Sequence, residues 1–416
     1  MSRALCCTDR QPVGPASRAR QAGLSIVEMM VGVAVGLIAT TVVMHTYSSS
    51  EMYRRNLTGT GDAVQAASIA AQRLDLALQG AGASLSRSTR VWGCRLLVTY
   101  AGNAVLPRSS AFPAPFDSMP QTLRAVPVVV QNGGTSSSDV ILTMGGDSGS
   151  ANQPLSVSSP SGNSLVASPT PPIGIGLNSG ASASEFDLFL VAPQDVGGGP
   201  GDCRIVQVAS TFAPQTLVTD ATVSQKVAQI ADIPIPLNAS TYGNVDSSIL
   251  NKSPAAFHLG LRADPNFSMV GVNENRELVV YDVLNRFSPQ VIGENVFLMK
   301  VRYGLDNGAN GGTINDNAVD DWVSPGESGW TITELMDGKA ATQQKIGFIK
   351  AIRIAIVLRS SQAVNSDAVV SSIDMFQDLA ASRRFSYALS SDEKRYQYQV
   401  YEWVIPLRNM RVPPII

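Results

Sequence analysis

Hydrophobic and polar positions follow three successive patterns along this 416-residue chain, and the first is an apolar run. The 21 residues from Leu24 to Met44 are almost all apolar or small, and Glu28 is the only charged residue among them. At about 1.5 Å per residue such a helix would be roughly 31 Å long, which is enough to cross the hydrocarbon core of a bilayer. We therefore predict a transmembrane helix over 24–44, with one carboxylate near its start.

The second pattern is an amphipathic helix. Apolar residues recur at helical spacing at Val64, Ala67, Ala71, Leu74 and Leu78. Asp62 is a candidate N-cap, and Gly80 and Gly82 are candidate stop residues. Glycine weakens helices, so the segment Gly59–Gly61 is expected to bend or melt locally. The two patterns together predict one long helix over 24–82, whose outer half packs on a globular domain.

The third pattern is a series of short alternating runs separated by loops rich in Gly, Ser and Asn, which is typical of β-strands. The candidate strands are Arg95–Tyr100, Ala125–Gln131, Asp139–Met144, Glu185–Val191, Arg204–Ala209, Ser268–Asn273, Glu277–Leu284, Asn295–Tyr303, Phe348–Leu358 and Tyr396–Ile405. The run that ends before Pro406 is predicted to be an edge strand. A low-complexity stretch at about 145–180 is predicted to be a surface loop. Asp367–Arg384 is a candidate short helix.

Alternation within two of these runs predicts which side chains face the core. The side chains expected on one face of their strands are Phe297, Met299, Val301 and Tyr303 in the first run, and Ile352, Ile354, Ile356 and Leu358 in the second. Arg353 and Arg359 are expected to point outward.

Charge around the apolar run predicts its orientation. The first 23 residues contain four Arg and one Asp, a charge of +3, so the rest of the chain carries −5 of the total of −2. By the positive-inside rule the N-terminus stays in the cytoplasm and the remainder is exported. A small pair, Ala22-Gly23, precedes the apolar run, whereas a secretory signal is cleaved after it. Two alternatives remain open: an uncleaved signal anchor, and a secretory signal cleaved near Ser48–Ser50.

A basic leader ending in Gly23, an apolar Leu24 and a glutamate at Glu28 resembles the type IV prepilin signal. The resemblance implies cleavage between Gly23 and Leu24 by a prepilin peptidase, followed by N-methylation of Leu24. It also implies that Glu28 pairs with the terminal amine of a neighbouring subunit. A carboxylate in an apolar environment needs a cationic partner or becomes neutral, so this pairing is physically reasonable.

Further segments resemble PilW-type minor pilins in order and spacing: Leu74–Gly82, Asn295–Asp306, Lys350–Ser360 and Leu407–Met410. The resemblance implies a pilin-like fold. Residues 101–267 resemble no family that these motifs identify.

Four cysteines are present, and Cys6 and Cys7 lie in the predicted leader. An exported mature chain would keep Cys94 and Cys203, which are predicted to form a disulfide, with two buried free thiols as the alternative.

Few residues suggest catalysis or cofactor binding. With two histidines, His45 and His258, a multi-histidine zinc site or a histidine-dependent triad is disfavoured. No Walker loop and no dinucleotide-binding glycine motif occurs, so no enzyme activity and no cofactor is expected. A weak calcium site is conceivable at Asp306, Asn310, Asp316 and Asp320, although an Asn/Asp/Gly-rich hairpin loop is favoured. The charge balance indicates no nucleic-acid surface.

These observations predict an α+β protein with three regions: a cleaved leader 1–23, the helix 24–82 and a β-rich, antiparallel periplasmic head 83–416. The predicted function is that of a minor pilin that primes or caps a type IV pilus. The expected partners are other minor pilins, the major pilin, the prepilin peptidase and the inner-membrane assembly platform. The protein would lie in the inner membrane before assembly and in the pilus afterwards. A type II secretion pseudopilin and a pilus-tip adhesin are the alternatives.

Overall fold

The computed structural model describes residues 25–146, 154–157, 162–167, 186–195, 197–210, 233–262, 265–285, 288–360, 363 and 370–411. The α-helices are α1 (Ile26–Gln79), α2 (Ser247–Leu250), α3 (Ile332–Leu335) and α4 (Ala340–Phe348). Single turns of 3-10 helix occur at Thr89–Val91, Ala309–Gly311, Ala381–Arg383, Glu393–Arg395 and Arg408–Arg411.

Nineteen strands are present in the described residues. They are β1 (Arg95–Tyr100), β2 (Asn103–Leu106), β3 (Val128–Gln131), β4 (Val140–Gly145), β5 (Leu155–Ser156), β6 (Ser164–Ala167), β7 (Asp187–Ala192), β8 (Asp202–Gln207), β9 (Ile233–Pro236), β10 (Ala255–Leu261), β11 (Asn266–Val272), β12 (Leu278–Asp282), β13 (Gln290–Gly293), β14 (Val296–Leu305), β15 (Asp321–Val323), β16 (Ile349–Arg359), β17 (Ser372–Met375), β18 (Phe385–Ala388) and β19 (Tyr398–Pro406).

The chain divides into two compact units, Met1–Thr58 and Gly59–Ile416. Within the first unit, the described residues form the apolar part of α1. Helical backbone continues through Gly59–Gly61 and Asp62, so the predicted local melting and the predicted N-cap are both wrong. Intrinsic helix propensity is a weak prior, and the two glycines lower it without interrupting the helix.

In the second unit, the last turns of α1 bury one face. Ala67, Ala70, Leu74 and Leu78 join the main core, which confirms the predicted stripe at Ala67, Leu74 and Leu78, with Ala70 buried more fully than Ala71. The side chain of Val64 lies outside the described part of the chain. The helix ends at Gln79, and Gly82 has a φ of +76°, a conformation that glycine adopts without strain.

Side-chain amides satisfy carbonyl groups at the end of α1. Asn409 Nδ2 donates hydrogen bonds to the carbonyl oxygens of Gln79 and Ala81, at 2.9 and 3.1 Å. Asn266 Nδ2 donates to the carbonyl of Ala77. Two distant segments of the chain therefore cap the same helix end.

Three larger sheets form the body of this unit, together with two two-stranded sheets, and the fold is α+β as predicted. The strand orders are β2-β1-β8-β7-β10-β5, β13-β12-β11-β4-β3 and β15-β14-β16-β19. All strand pairs are antiparallel except β1 and β8, which are parallel. Cys94 and Cys203 form the disulfide that was predicted, and it closes next to this parallel pair with a sequence separation of 109.

The two central strands of the four-stranded sheet, β14 and β16, are buried on both faces. Ile352, Ile354, Ile356 and Leu358 of β16 face the main core as predicted. The β17–β18 hairpin covers the opposite face, where Leu298, Ala355 and Val357 pack against Ile373, Met375, Phe376 and Leu389. This hairpin replaces most of the short helix predicted over Asp367–Arg384; a 3-10 turn at Ala381–Arg383 remains.

Two other expectations are corrected by the strands. A register shift between Val296 and Leu298 moves Phe297 away from the Met299 face, and its ring packs against Tyr387 and Tyr398. The low-complexity stretch is not entirely a surface loop, because β5 and β6 lie within it and Leu155 and Leu165 are buried. Its remaining residues fall largely outside the described part of the chain.

Candidate assembly helix and the charged layer of the sheet

The apolar part of α1 is exposed along its whole described length. Within Ile26–Glu51, the most apolar window of 18 residues has a mean hydropathy of 2.2, and none of that window is buried. It is the one helix in the described residues that is long and apolar enough to cross a membrane. Large side chains such as Ile26 (80% exposed) and Leu37 (63%) contact little of their own chain. An exposed apolar surface of this extent is typical of a segment that contacts lipid or other proteins.

Glu28 lies in the first turn of this helix, and no described residue forms an ion pair with it. Gly32, Gly36 and Thr40 follow it at intervals of four residues, so the four residues share one helix face. A Cβ added at either glycine would meet nothing within 4 Å. Thr40 Oγ1 donates to the carbonyl of Gly36 at 2.7 Å, which keeps its polar group within the helix.

This small-residue face was missed by the sequence prediction, although the Gly-x-x-x-Gly spacing was available to find it. Gly23, Leu24, Cys6 and Cys7 lie outside the described residues.

A second group of ionisable side chains lies inside the second unit, between the four-stranded sheet and the turn that joins β3 to β4. Lys300 and Asp139 are each only 1% exposed, and Lys300 Nζ lies 2.9 Å from Asp139 Oδ1. The ammonium also donates to the carbonyls of Gly134 and Ser137, at 2.7 Å each. All three ammonium hydrogens therefore have acceptors.

Both carboxylate oxygens of Asp139 also accept hydrogen bonds. The carboxylate accepts backbone N–H groups of Gly133 and Val301, each at 2.9 Å. Burial lowers the pKa of Lys300 and raises the pKa of Asp139, and the attraction between the two charges opposes both shifts. The pair fastens β14 to the β3–β4 turn.

Arg353 is the centre of the neighbouring network. It points away from the main core as predicted, but its guanidinium is only 14% exposed because the β17–β18 hairpin covers this face. Its guanidinium donates two hydrogen bonds to Asp378, at 2.8 and 2.6 Å, and one to Glu402 at 2.6 Å. Arg302 and Arg353 both lie over the ring of Phe376, at 4.5 and 5.4 Å from its centroid. The β17–β18 hairpin therefore makes an expected surface position a partly buried one.

In the loop predicted as a weak calcium site, the carboxylates accept hydrogen bonds from backbone N–H groups of the same loop. Asp306 is fully buried and accepts N–H groups of Asn315 and Asn317, at 2.6 and 2.9 Å. Asp320 Oδ2 accepts the N–H of Gly308 at 2.7 Å. The amide of Asn310 donates to the carbonyl of Asp320, and Asp316 accepts the N–H of Ala318. These contacts favour the hairpin-loop interpretation, since they occupy carboxylate oxygens that calcium would need.

His258, the interior histidine, is buried and lies 2.8 Å from the carboxylate of Asp187, across neighbouring strands β10 and β7. Among the described residues, no group of three or more His, Cys, Asp or Glu side chains is arranged to hold a metal ion.

Comparison with known proteins relates part of the chain to a pilus system. Residues 284–409 match the family model described as Type IV Pilus-assembly protein W. The matched segment contains the four-stranded sheet, the β17–β18 hairpin and Asn409, one of the residues that cap α1. No curated protein and no solved structure matches the chain.

The match covers two of the four predicted PilW-like segments in full, Asn295–Asp306 and Lys350–Ser360, and the third, Leu407–Met410, up to Asn409. The C-terminal part of the chain is therefore similar to this pilus-assembly family. The matched residues do not include α1, so the exposed apolar helix near the N-terminus is an observation from the structure alone.

Proposed function

We propose that this protein is a minor pilin: a non-catalytic structural subunit that primes or caps assembly of a type IV pilus. One observation carries the proposal. The chain joins an exposed apolar helix, with one carboxylate, Glu28, inside its otherwise uncharged run, to a unit whose C-terminal part matches a type IV pilus-assembly family. An exposed apolar helix with one costly charge is what a polymer of helices would use.

Maturation creates the partner that Glu28 lacks. Cleavage by a prepilin peptidase between Gly23 and Leu24 frees an amine at Leu24, which is then methylated. In the filament this amine lies beside Glu28 of another subunit, so each charge is neutralised in an apolar environment. Because an intramembrane charge costs a few kcal/mol, this pairing favours the transfer of the helix from lipid into the filament.

Packing of the helices uses the face that carries Glu28, Gly32, Gly36 and Thr40. Without Cβ atoms at Gly32 and Gly36, a second helix backbone approaches closely, which increases van der Waals contact where no hydrophobic driving force exists. The partners are other minor pilins and the major pilin. The precursor lies in the inner membrane with its head in the periplasm, and contacts the assembly platform there.

Processing is tested by mass spectrometry of the mature N-terminus. We expect a chain that begins at N-methylated Leu24. A chain that retains Met1, or that begins near Ser48–Ser50, would remove the main support for the proposal.

Assembly is tested with Glu28→Gln, which keeps size and removes the charge. We expect the variant protein to accumulate in the membrane but to be lost from sheared pili. Glu51→Gln, at the other end of the same apolar segment, is the matched control and should be incorporated normally. Equal incorporation of both variants would contradict the pairing role of Glu28.

A pseudopilin of a type II secretion system is the second candidate, because it would use the same processing signal and helix. A deletion strain separates the two. Loss of pili and twitching supports the minor pilin, whereas loss of exoprotein secretion with normal pili supports the pseudopilin. A tip adhesin would show normal piliation with reduced surface attachment.

A further inference from the structure

The strand β19 forms one end of the four-stranded sheet, and its outer edge has no neighbouring strand among the described residues. At the two ends of its pairing with β16, Ser360 N donates to Gln397 O and Leu407 N donates to Lys350 O, both at 2.9 Å. In an antiparallel ladder this bonding alternates. The odd-numbered residues of β19 therefore bond to β16, and the even-numbered ones direct their backbone groups to the free edge.

The outward backbone groups thus belong to Tyr398, Val400, Glu402 and Val404, and in the described part of the chain no backbone hydrogen bond reaches them. Val400 and Val404 are also exposed, by 37% and 47%. Apolar side chains beside unpaired backbone groups form a template for another strand.

Natural edge strands are usually protected by charge, and this one is not. Glu402 is the sole charged residue of β19. Its carboxylate is drawn inward, since it accepts from Arg353 at 2.6 Å and from the N–H of Phe376 at 2.7 Å. Pro406 lacks an N–H but stands at the very end of the strand.

The edge is also self-complementary. Val400 and Val404 are placed symmetrically about Glu402, so an antiparallel copy centred on Glu402 would put each valine opposite a valine. Cross-strand pairs of β-branched residues stabilise sheets. The two Glu402 carboxylates would face each other, but each is already balanced by its own Arg353.

We propose that β19 pairs with β19 of a second copy of this chain, antiparallel and in this register, to give one continuous eight-stranded sheet across the two heads. Backbone N–H and C=O groups of Val400 and Val404 bond between the copies, and those of Glu402 bond across the two-fold axis. This contact is separate from the helix packing of the proposed function.

Disulfide trapping in the full-length protein tests both the contact and its register. Val400→Cys and Val404→Cys are made separately, with different tags, in a Cys6→Ser/Cys7→Ser background, and are solubilised in detergent and oxidised with copper phenanthroline. We expect a disulfide-linked dimer when the two variants are mixed, and no such dimer when either variant is oxidised by itself. In a sample of one variant, the two identical cysteines of a dimer lie about 14 Å apart along the strands, whereas a disulfide needs Cα atoms within about 7 Å.

Val291→Cys mixed with Val404→Cys is the matched control, because Val291 is 50% exposed on an edge strand of another sheet. The circular dichroism of each variant shows that the head has folded. If the mixture gives no dimer, the proposal is wrong. That result would also be obtained if the edge bound a different protein, so this case overturns the proposal too. Equal dimer from mixed, single and control samples would overturn it too, since it would indicate random collision.

Discussion

The apolar segment of α1 and the four-stranded sheet differ in whether residues of the same chain compensate their charged side chains. In Ile26–Glu51, Glu28 stands in an exposed apolar surface, and no described residue pairs with it. In and beside the sheet, Lys300, Asp139 and Arg353 are buried or nearly so, and each has several hydrogen-bond partners within the chain. The chain itself therefore compensates the charges at the sheet, whereas no described residue compensates Glu28.

This comparison distinguishes charged residues that stabilise the fold from a charged residue that is free to contact other molecules. Removing one member of a buried pair leaves a charge without compensation, so the fold loses stability. Removing Glu28 should leave the fold unchanged and affect only contacts with other molecules. Four substitutions test this contrast, in order of decreasing effect on the free energy of unfolding.

Lys300→Met should have the largest effect. It leaves the Asp139 carboxylate buried without its cation, and we expect the free energy of unfolding to fall by about 3–5 kcal/mol. Urea unfolding of the detergent-solubilised protein, followed by tryptophan fluorescence, measures the change. Lys339→Met is the control, because that ammonium is 76% exposed beside Asp337 and such surface pairs contribute about 0–1 kcal/mol. Similar losses for both variants would refute the distinction between buried and exposed pairs.

Tyr303→Phe should have an intermediate effect. The hydroxyl oxygen of this fully buried tyrosine accepts the N–H of Val130 at 2.6 Å. Its removal leaves a buried N–H without an acceptor, at a cost of about 1–3 kcal/mol in the same urea assay. Tyr401→Phe, in the same sheet, loses a hydroxyl that donates to Gln399 at a partly exposed position and should cost less.

Asp378→Asn should have a small effect that depends on pH. Hydrogen bonds from Arg353 lower the pKa of Asp378 below its ordinary value. A carboxylate with a lowered folded pKa contributes stability above its unfolded pKa, about 3.9, and loses it as the pH falls through the folded pKa. The wild type should therefore lose melting temperature more steeply than the variant below about pH 4, measured by circular dichroism. Parallel curves would show that this ion pair contributes nothing.

Glu28→Gln should have the smallest effect on folding. The head should unfold within about 0.5 kcal/mol of the wild type, as expected for a surface substitution. Its effect should appear only in pilus incorporation. A loss of stability comparable with that of Lys300→Met would show that Glu28 has a partner inside the chain.

The residue pattern predicted features that depend on local periodicity. The stripe through Leu74 and Leu78, the helix end near Gly80, and the strands β14 and β16 all follow from spacing along one segment. The small-residue face at Gly32 and Gly36 could have been found in the same way.

Apart from the Cys94–Cys203 disulfide, features that depend on distant segments were missed. Lys300 and Asp139 are 161 residues apart, so neither identifies the other. Arg353 was assigned to solvent because alternation marks two faces of a strand but does not say what covers each face. A single register shift was enough to move Phe297 to the other side of its sheet.

The interleaving of the sheets has a consequence for the time at which the head folds. β4 pairs with β11, and Thr143 of β4 donates a hydrogen bond to the carbonyl of Ser268, which lies 125 residues further along the chain. β1 likewise pairs in parallel with β8, a strand that is distant in sequence. Pairings of such long range form slowly, because loop closure precedes any gain from contact. The turn after β3 gains its buried cation only when Lys300 is available, and α1 is capped only when Asn409 is available. Strand edges therefore remain unpaired until almost the whole chain can take part, and such edges make the partly folded chain prone to aggregation.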